Sequence, residues 1–321
     1  MKALVTGAAG FIGSHVVSAL VAGGASVRAF DRAAGSAADV EWILGDILDA
    51  DALRRAMDGC DAVFHLAAVY SFARRDADAM RAVNVDGARS LLDTAARAGS
   101  VRRIVYTSSC ATCGPVPGRP ATEADGPPEW ELAVPYKRTK LDGERLALAA
   151  ARDGVDVVVV NPTTPVGPGD RRPTPTGKMI ADVAAGRARG FLARGALNIV
   201  AVEDVAAGHL RAFEQGRRGE RYLLGGENLA MREIFGLVAR AAGRPAPRLA
   251  VPWAVAMAAA RGADLALRPF AREPTLLNLD EVRIGRLPMT FDDSKARREL
   301  GHESRPAAQA LHAAAVAAVS R

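Results

Sequence analysis

Residues 2 to 13 constrain this chain most: they read K-A-L-V-T-G-A-A-G-F-I-G, a short apolar run that breaks into glycines at 7, 10 and 13 and then turns helical. Such a stretch is a strand, a tight turn and a helix start. Glycine gives the turn its backbone freedom, lets main chain approach a ligand closely, and lets the helix settle against the strand. The ligand this geometry suits is a pyrophosphate, because exposed N–H groups and the positive end of the helix converge on it. The G-x-x-G-x-x-G spacing departs from the commoner G-x-G-x-x-G, so residues elsewhere must decide between a nucleotide loop and an ordinary glycine turn.

Those residues follow in order. Residues 14 to 22 keep helical periodicity, Gly23 and Gly24 end it, and a second strand closes on Asp31 and Arg32. Asp31 lies 18 residues beyond Gly13. In a βαβ unit a carboxylate there accepts hydrogen bonds from the adenosine ribose and repels a 2′-phosphate. Arg32 can stack on adenine or pair with that phosphate, so NAD is expected, with NADP as the alternative. Residues 40 to 44 lead to Asp46 and Ile47, and residues 62 to 66 end in Leu66 before Ala67 and Ala68. Strands alternating with helices make an α/β protein with a doubly wound parallel sheet, whose ligands sit beyond the carboxyl ends of the strands. Small residues at 67 and 68 leave room for a nucleotide, and Tyr70 continues that loop toward a substrate. His65 reads as a satisfied core histidine, and Asn84 as a bridge between backbone groups near the site.

The reactive groups come next. A strand over residues 104 to 106 ends in Thr107, Ser108, Ser109 and Cys110, and Y-K-R-T-K at 136 to 140 opens a helix behind Pro135. Tyr136 and Lys140 are four apart and share one helix face. A phenol near pKa 10 is a poor acid or base at neutrality, and a nearby cation lowers it; three units, about 4 kcal/mol, are within reach when an ammonium and a bound nicotinamide cation both act at close range. Tyr136 can then move a proton while Ser109 bonds the same oxygen and Lys140 reaches the cofactor ribose. The apolar run at 155 to 160 is a buried parallel strand, with Asn161 and Pro162 at its carboxyl end.

The formal charge of +6 is carried by arginines spread along the chain, which suits a phosphorylated ligand better than nucleic acid. Cys60, Cys110 and Cys113 make no disulfide framework, and the C-x-x-C at 110 and 113 lacks a second ligand pair, so no metal is expected. The apolar segment 251 to 267 is broken by Arg261, Gly262 and Asp264; it reads as a core or dimer helix, not a membrane span. No signal peptide is visible, and a cytoplasmic, reducing setting is the expectation.

The joint pattern resembles one family. T-G-A-A-G-F-I-G at 6 to 13, Asp31, G-D-I at 45 to 47, H-L-A-A at 65 to 68, N-V-D-G at 84 to 87, T-S-S at 107 to 109 and Tyr136 with Lys140 carry the likeness. N-P-T-T-P-V-G-P at 161 to 168 and V-E-D-V-A at 202 to 206 extend it. The chain resembles the extended short-chain dehydrogenase/reductases of the NAD-dependent epimerase/dehydratase group, nearest to hopanoid-associated sugar epimerases and dihydroflavonol 4-reductase-like enzymes. That resemblance implies a Rossmann-type fold over residues 1 to 163, returning at about 195 to 214, with a smaller, mostly helical substrate-binding lobe from 164 to 194 and 215 to 321. Residues 199 to 204 would bring the chain back to the main sheet.

It further implies Ser109, Tyr136 and Lys140 as the catalytic set. Cofactor contacts fall on Gly7, Gly10, Phe11, Ile12, Gly13, Asp31, Arg32, Asp46, Ile47, Leu66, Ala67, Ala68, Thr107, Tyr136, Lys140 and Pro162. Substrate contacts fall on Tyr70, Ser109, Cys110, Tyr136 and Asn161. A homodimer through the helices at 79 to 98 and 136 to 152 is part of the same expectation, with a small-molecule substrate and neither nucleic acid nor membrane as partner. The implied reaction is hydride transfer at a secondary alcohol or ketone carbon of a sugar-like substrate, as in an epimerase. Reduction of a non-nucleotide ketone is the alternative, and a silent dinucleotide sensor the third. Two departures bear on this choice. Leu197 and Asn198 stand where nucleotide-sugar enzymes carry an arginine for the diphosphate, leaving Arg171, Arg172, Lys178 and Arg194 to compensate. T-S-S in place of T-D-E disfavours a sugar 4,6-dehydratase.

Overall fold

Valine-rich runs that are apolar on both faces belong in the middle of a parallel sheet covered by helices on either side. In the computed structural model, which describes residues 1–267 and 278–319, such runs form a seven-stranded sheet. Its first six strands are β1 (Lys2–Thr6), β2 (Ser26–Asp31), β3 (Glu41–Leu44), β4 (Ala62–His65), β5 (Arg103–Thr107) and β6 (Val157–Pro162). β7 (Thr164–Val166), β8 (Gly190–Leu192) and β9 (Ala196–Ala201) lie outside it, and β10 (Arg221–Leu224) is the seventh member. The spatial order is β3-β2-β1-β4-β5-β6-β10. β1 pairs in parallel with β2 on one side and β4 on the other. Connections run in opposite directions from that point, and a crevice opens at the strands' carboxyl ends.

Successive side chains along a strand face opposite ways, so each strand feeds two cores. On one face Val5, Phe64, Val105 and Val158 meet α1 (Phe11–Ala22) through Val16, Val17 and Leu20. On the other, Leu4, Val63, Ile104 and Val159 meet Leu53 and Met57 of α2 (Ala50–Met57). α3 (Ala77–Arg81) runs through a π-helical turn, Ala82–Gly87, into α4 (Ala88–Arg97), and with α5 (Pro135–Arg152) these cover the same face as α2. α6 (Pro175–Ala184) belongs to the lobe, whereas α7 (Val202–Gln215) returns to lie against α1.

The sequence reading placed β9 in the main sheet. Instead it sits between β7 and β11 (Glu227–Ala230) in a three-stranded sheet, and β10 is the strand that extends the main one beside β6. Both segments are short and apolar, and periodicity cannot tell which will find the open edge of β6. The lobe closes with α8 (Met231–Ala241), β12 (Leu249–Val251) beside β8, α9 (Trp253–Leu267) and α10 (Leu279–Ile284). α9 buries Ala256, Met257 and Ala260 against Val282, so the segment at 251 to 267 contributes a helix to a core, as expected. α11 (Ser294–Leu300) ends at a left-handed Gly301, and α12 (Ala307–Val319) packs on α6 and α8.

Candidate active site

β1 ends at Thr6, and the chain turns through Gly7 at φ +70°. A Cβ on Gly7 would stand 2.6 Å from the Ala67 nitrogen, and one on Gly13 would run into the Gly7 carbonyl. Only bare backbone fits between β1, α1 and the end of β4. Gly10, the residue capping α1, supplies no side-chain bond to the first turn. The first N–H groups of α1 are thus left without a side-chain cap, the kind of helix start that can receive an anion. At the end of β2 the Asp31 carboxylate is held beside the loop, accepting from the Ala9 N–H at 3.0 Å and from its neighbour Arg32 N–H at 2.7 Å. A bare loop, an uncapped helix start and an anchored carboxylate make a cradle that fits a dinucleotide with free ribose hydroxyls.

The remaining cofactor candidates lie along the same rim, several through main chain only. Asp46 accepts from Leu48 N–H at 3.0 Å, and the Ile47 side chain is buried against Gly87. Thr107 turns its hydroxyl to His209 Nε2 at 2.9 Å and its carbonyl to Lys140. Pro162 is buried in β6. Leu66, Ala67 and Ala68 follow β4, with Ala67 N–H donating to Thr6 Oγ1 at 3.4 Å. His65 lies 2.8 Å from that hydroxyl, and burial lowers its pKa to about 3, so it is the neutral core residue anticipated. Asn84 holds Val69 through both backbone groups, at 2.8 and 3.0 Å, and donates to Thr139.

Ser109 lies beside Tyr136, where its hydroxyl acts to lower the phenol's pKa. Lys140 is buried one turn along α5, donates to the Thr107 carbonyl at 2.8 Å and lies over the Tyr106 ring. The lowering of Tyr136 expected from Lys140 and a bound nicotinamide cation together is not produced by the protein's own groups alone. Burial pushes the phenol well above its ordinary range, and Ser109 pulls only partly against it. Lys140 itself is lowered to about 8 by burial, with Glu144 opposing. Over the phenol stands an aromatic wall. The Tyr70 and Tyr136 ring centroids are 4.4 Å apart, and Phe72 meets them edge-on at 5.4 and 5.9 Å.

Two substrate candidates take other parts. Asn161 is 0% exposed, and its Nδ2 lies 3.1 Å from the Ser109 carbonyl, 3.0 Å from Thr112 Oγ1 and 2.6 Å from Glu144 Oε2. It braces the strand end behind Ser109, away from the open cleft. Cys110 is buried, donates to the Thr163 carbonyl at 3.5 Å, and burial pushes its thiol up to about 12, which leaves it inert at neutral pH. Sequence reasoning missed Phe72, Thr112, Glu144 and Arg221. Glu144 had a signal, four residues beyond Lys140 on the same face; Arg221 had none, since its partners are more than seventy residues away. Among the described residues no group of His, Cys, Asp and Glu is placed to hold a metal ion, and no helix is long and apolar enough to cross a membrane.

This rim and fold define a dinucleotide-dependent enzyme of the extended short-chain dehydrogenase/reductase type. The chain belongs to the NAD dependent epimerase/dehydratase family, whose model matches residues 3–225, and NAD is the cofactor the cradle fits. A Synechocystis protein provisionally named dihydroflavonol 4-reductase is 39% identical over 317 residues, 96% of this chain and 91% of its own. Sterol demethylase protein B of Methylococcus capsulatus is 39% identical over 307 residues, 94% of this chain and 93% of its own. The crystal structure of gox2253 matches with a TM-score of 0.86 at 36% identity, over 99% of this chain and 98% of that one.

Proposed function

We propose that the protein reduces a ketone on a largely apolar, non-nucleotide substrate to a secondary alcohol, with Tyr136 as proton donor. The observation that carries this reading is the aromatic setting of the phenol: Tyr70 lies against Tyr136 and Phe72 meets it edge-on, so the rings offer an apolar surface beside the reacting group. Asn198, at a position where nucleotide-sugar enzymes carry an arginine, is fully buried and donates to Gly226, Asn228 and Phe291. The names of the two relatives, a dihydroflavonol reductase and a sterol-processing protein, agree with an apolar substrate. Motifs alone put a sugar-like substrate first; the wall around Tyr136 favours the apolar ketone.

NADH supplies the hydride when bound. Burial keeps Tyr136 protonated at neutral pH. A protonated phenol gives its proton to the substrate oxygen as that oxygen gains alkoxide character, whereas oxidation needs a phenolate first. A protonated Tyr136 is the form that reduction uses. Ser109 stands beside the phenol to bond the same substrate oxygen, and the Lys140 ammonium lies one turn along α5 for the ribose hydroxyls.

Assays with NADH, a dihydroflavonol and a steroid ketone, beside a UDP-hexose, test the reading. Alcohol formed in step with NADH consumed supports it; inversion of the hexose without net NADH use replaces it with epimerisation. Tight NAD binding with neither activity points to a sensor. Tyr136→Phe is expected to lower kcat by roughly a thousandfold while leaving NADH affinity within about twofold. A variant that keeps most of its rate removes Tyr136 from the chemistry.

A further inference from the structure

The face of α5 that carries Tyr136 and Lys140 continues one turn further to Glu144, a carboxylate 2% exposed. A charge buried this deeply costs several kcal/mol unless its oxygens are engaged. Here they are. Oε2 accepts from Asn161 Nδ2 at 2.6 Å and lies 2.7 Å from Thr112 Oγ1, and Oε1 faces Arg221 Nε at 3.2 Å. Asn161 Nδ2 and Thr112 Oγ1 also reach the Ser109 carbonyl, at 3.1 and 2.8 Å. One carboxylate thus anchors the polar groups behind the serine.

We propose that Glu144 is a positioning residue for the reaction, acting through its neighbours without touching substrate: its charge keeps the Lys140 ammonium in place, and its hydrogen bonds fix the strand end that presents Ser109. The proposal rests on the reading of Tyr136, Ser109 and Lys140 as the working groups.

The surroundings of Lys140 single out Glu144. Facing the ammonium are Glu144 on its own helix, His65 on β4, and the Tyr106 ring and Thr107 carbonyl on β5. His65, at about 3, is neutral, and burial holds the Tyr106 phenol protonated. Arg221 on β10 is charged but paired with Glu144 itself. Among the described residues Glu144 is the counter-charge that opposes desolvation of Lys140, which stands at about 8. Without that carboxylate the lysine deprotonates closer to neutrality. A glutamate with a purely structural part would not move that titration.

The test is a pair of pH profiles on the purified enzyme between about pH 6 and pH 9: the dissociation constant for NAD by calorimetry, and kcat/KM for a ketone. In Glu144→Gln both NAD affinity, the reciprocal of that constant, and kcat/KM are expected to fall to half about one pH unit below wild type, with kcat/KM down about fivefold at the wild-type midpoint. A folded Glu144→Gln enzyme whose alkaline limbs coincide with wild type overturns the proposal. Should that variant fail to fold because Arg221 is left uncompensated, Glu144→Gln/Arg221→Gln removes both charges. The same downward displacement is expected there, and an unmoved limb overturns the proposal equally. A wild-type enzyme that turns over no ketone overturns the reaction assigned above instead, while a displaced NAD profile still supports the part given to Glu144.

Discussion

The two sides of the cleft are built from different materials. The cofactor side is mostly main chain: a glycine turn pressed on Ala67, an uncapped helix start, and one carboxylate pinned by two backbone N–H groups. The substrate side is side chains gathered from distant segments. Tyr70 and Phe72 come from the loop after β4 and Tyr136 from α5, while Asn278 of the lobe donates to the Phe72 carbonyl at 3.1 Å and Arg74 faces Asp280 at 3.6 Å. Backbone geometry leaves few ways to change, whereas a wall of loop side chains can be exchanged without disturbing the sheet. The contrast explains how one family holds one cofactor and many substrates.

Acid should expose the difference most strongly. His65 and His209 both lie under the cofactor rim, hydrogen-bonded to Thr6 and Thr107, and burial lowers them to about 3 and about 4. Both folded values lie below the ordinary histidine value near 6.5, so the unfolded chain binds protons that the folded one refuses. Stability is full above about pH 6.5 and falls as pH drops toward the folded values, with a slope approaching about 2.7 kcal/mol per pH unit near pH 5. Urea melts from about pH 7 to pH 4 measure it. His65→Gln should remove about half the slope, and an unchanged slope in that variant would show that histidines do not govern acid stability.

Next in size is the loop. In Gly7→Ala the new methyl meets the Ala67 nitrogen from a backbone at φ +70°. The loop must shift, at a cost of about 1–3 kcal/mol, and NAD affinity should fall about a hundredfold. Calorimetric titration decides, and wild-type affinity in this variant would mean that dinucleotide binds elsewhere.

Legibility in the sequence divides along the same line. The glycine turn, Asp31 and the Tyr136–Lys140 pair are each confined to one short segment, where spacing reports geometry directly, and all appear at the expected strand and helix ends. The exchange of β9 for β10, the inward turn of Asn161 and the rise of the Tyr136 pKa were not readable. Each depends on contacts between segments remote in the chain: which strand reaches the open edge of β6, what stands behind Ser109, and how deeply α5 is covered. Phe72 is the plainest example, since nothing in Y-S-F at 70 to 72 says that its ring will meet a tyrosine more than sixty residues on.

The smallest expected effect bears most directly on the substrate side. Tyr70 is 41% exposed, and its ring lies 4.4 Å from that of Tyr136, so it has surface left to offer a ligand while covering the phenol. Removing the ring in Tyr70→Ala should weaken binding of an apolar ketone by about 1.5 kcal/mol, or roughly tenfold in KM, with kcat changed less than threefold. NAD affinity should not move, because the cofactor side takes nothing from this ring. The opposite pattern, an unaltered KM with weaker NAD binding, would place Tyr70 on the cofactor side and dissolve the division between main-chain and side-chain walls. If KM rises for a steroid ketone and stays level for a small polar one, the wall selects by apolar area, and substrate class is decided in the residue 70 to 72 loop.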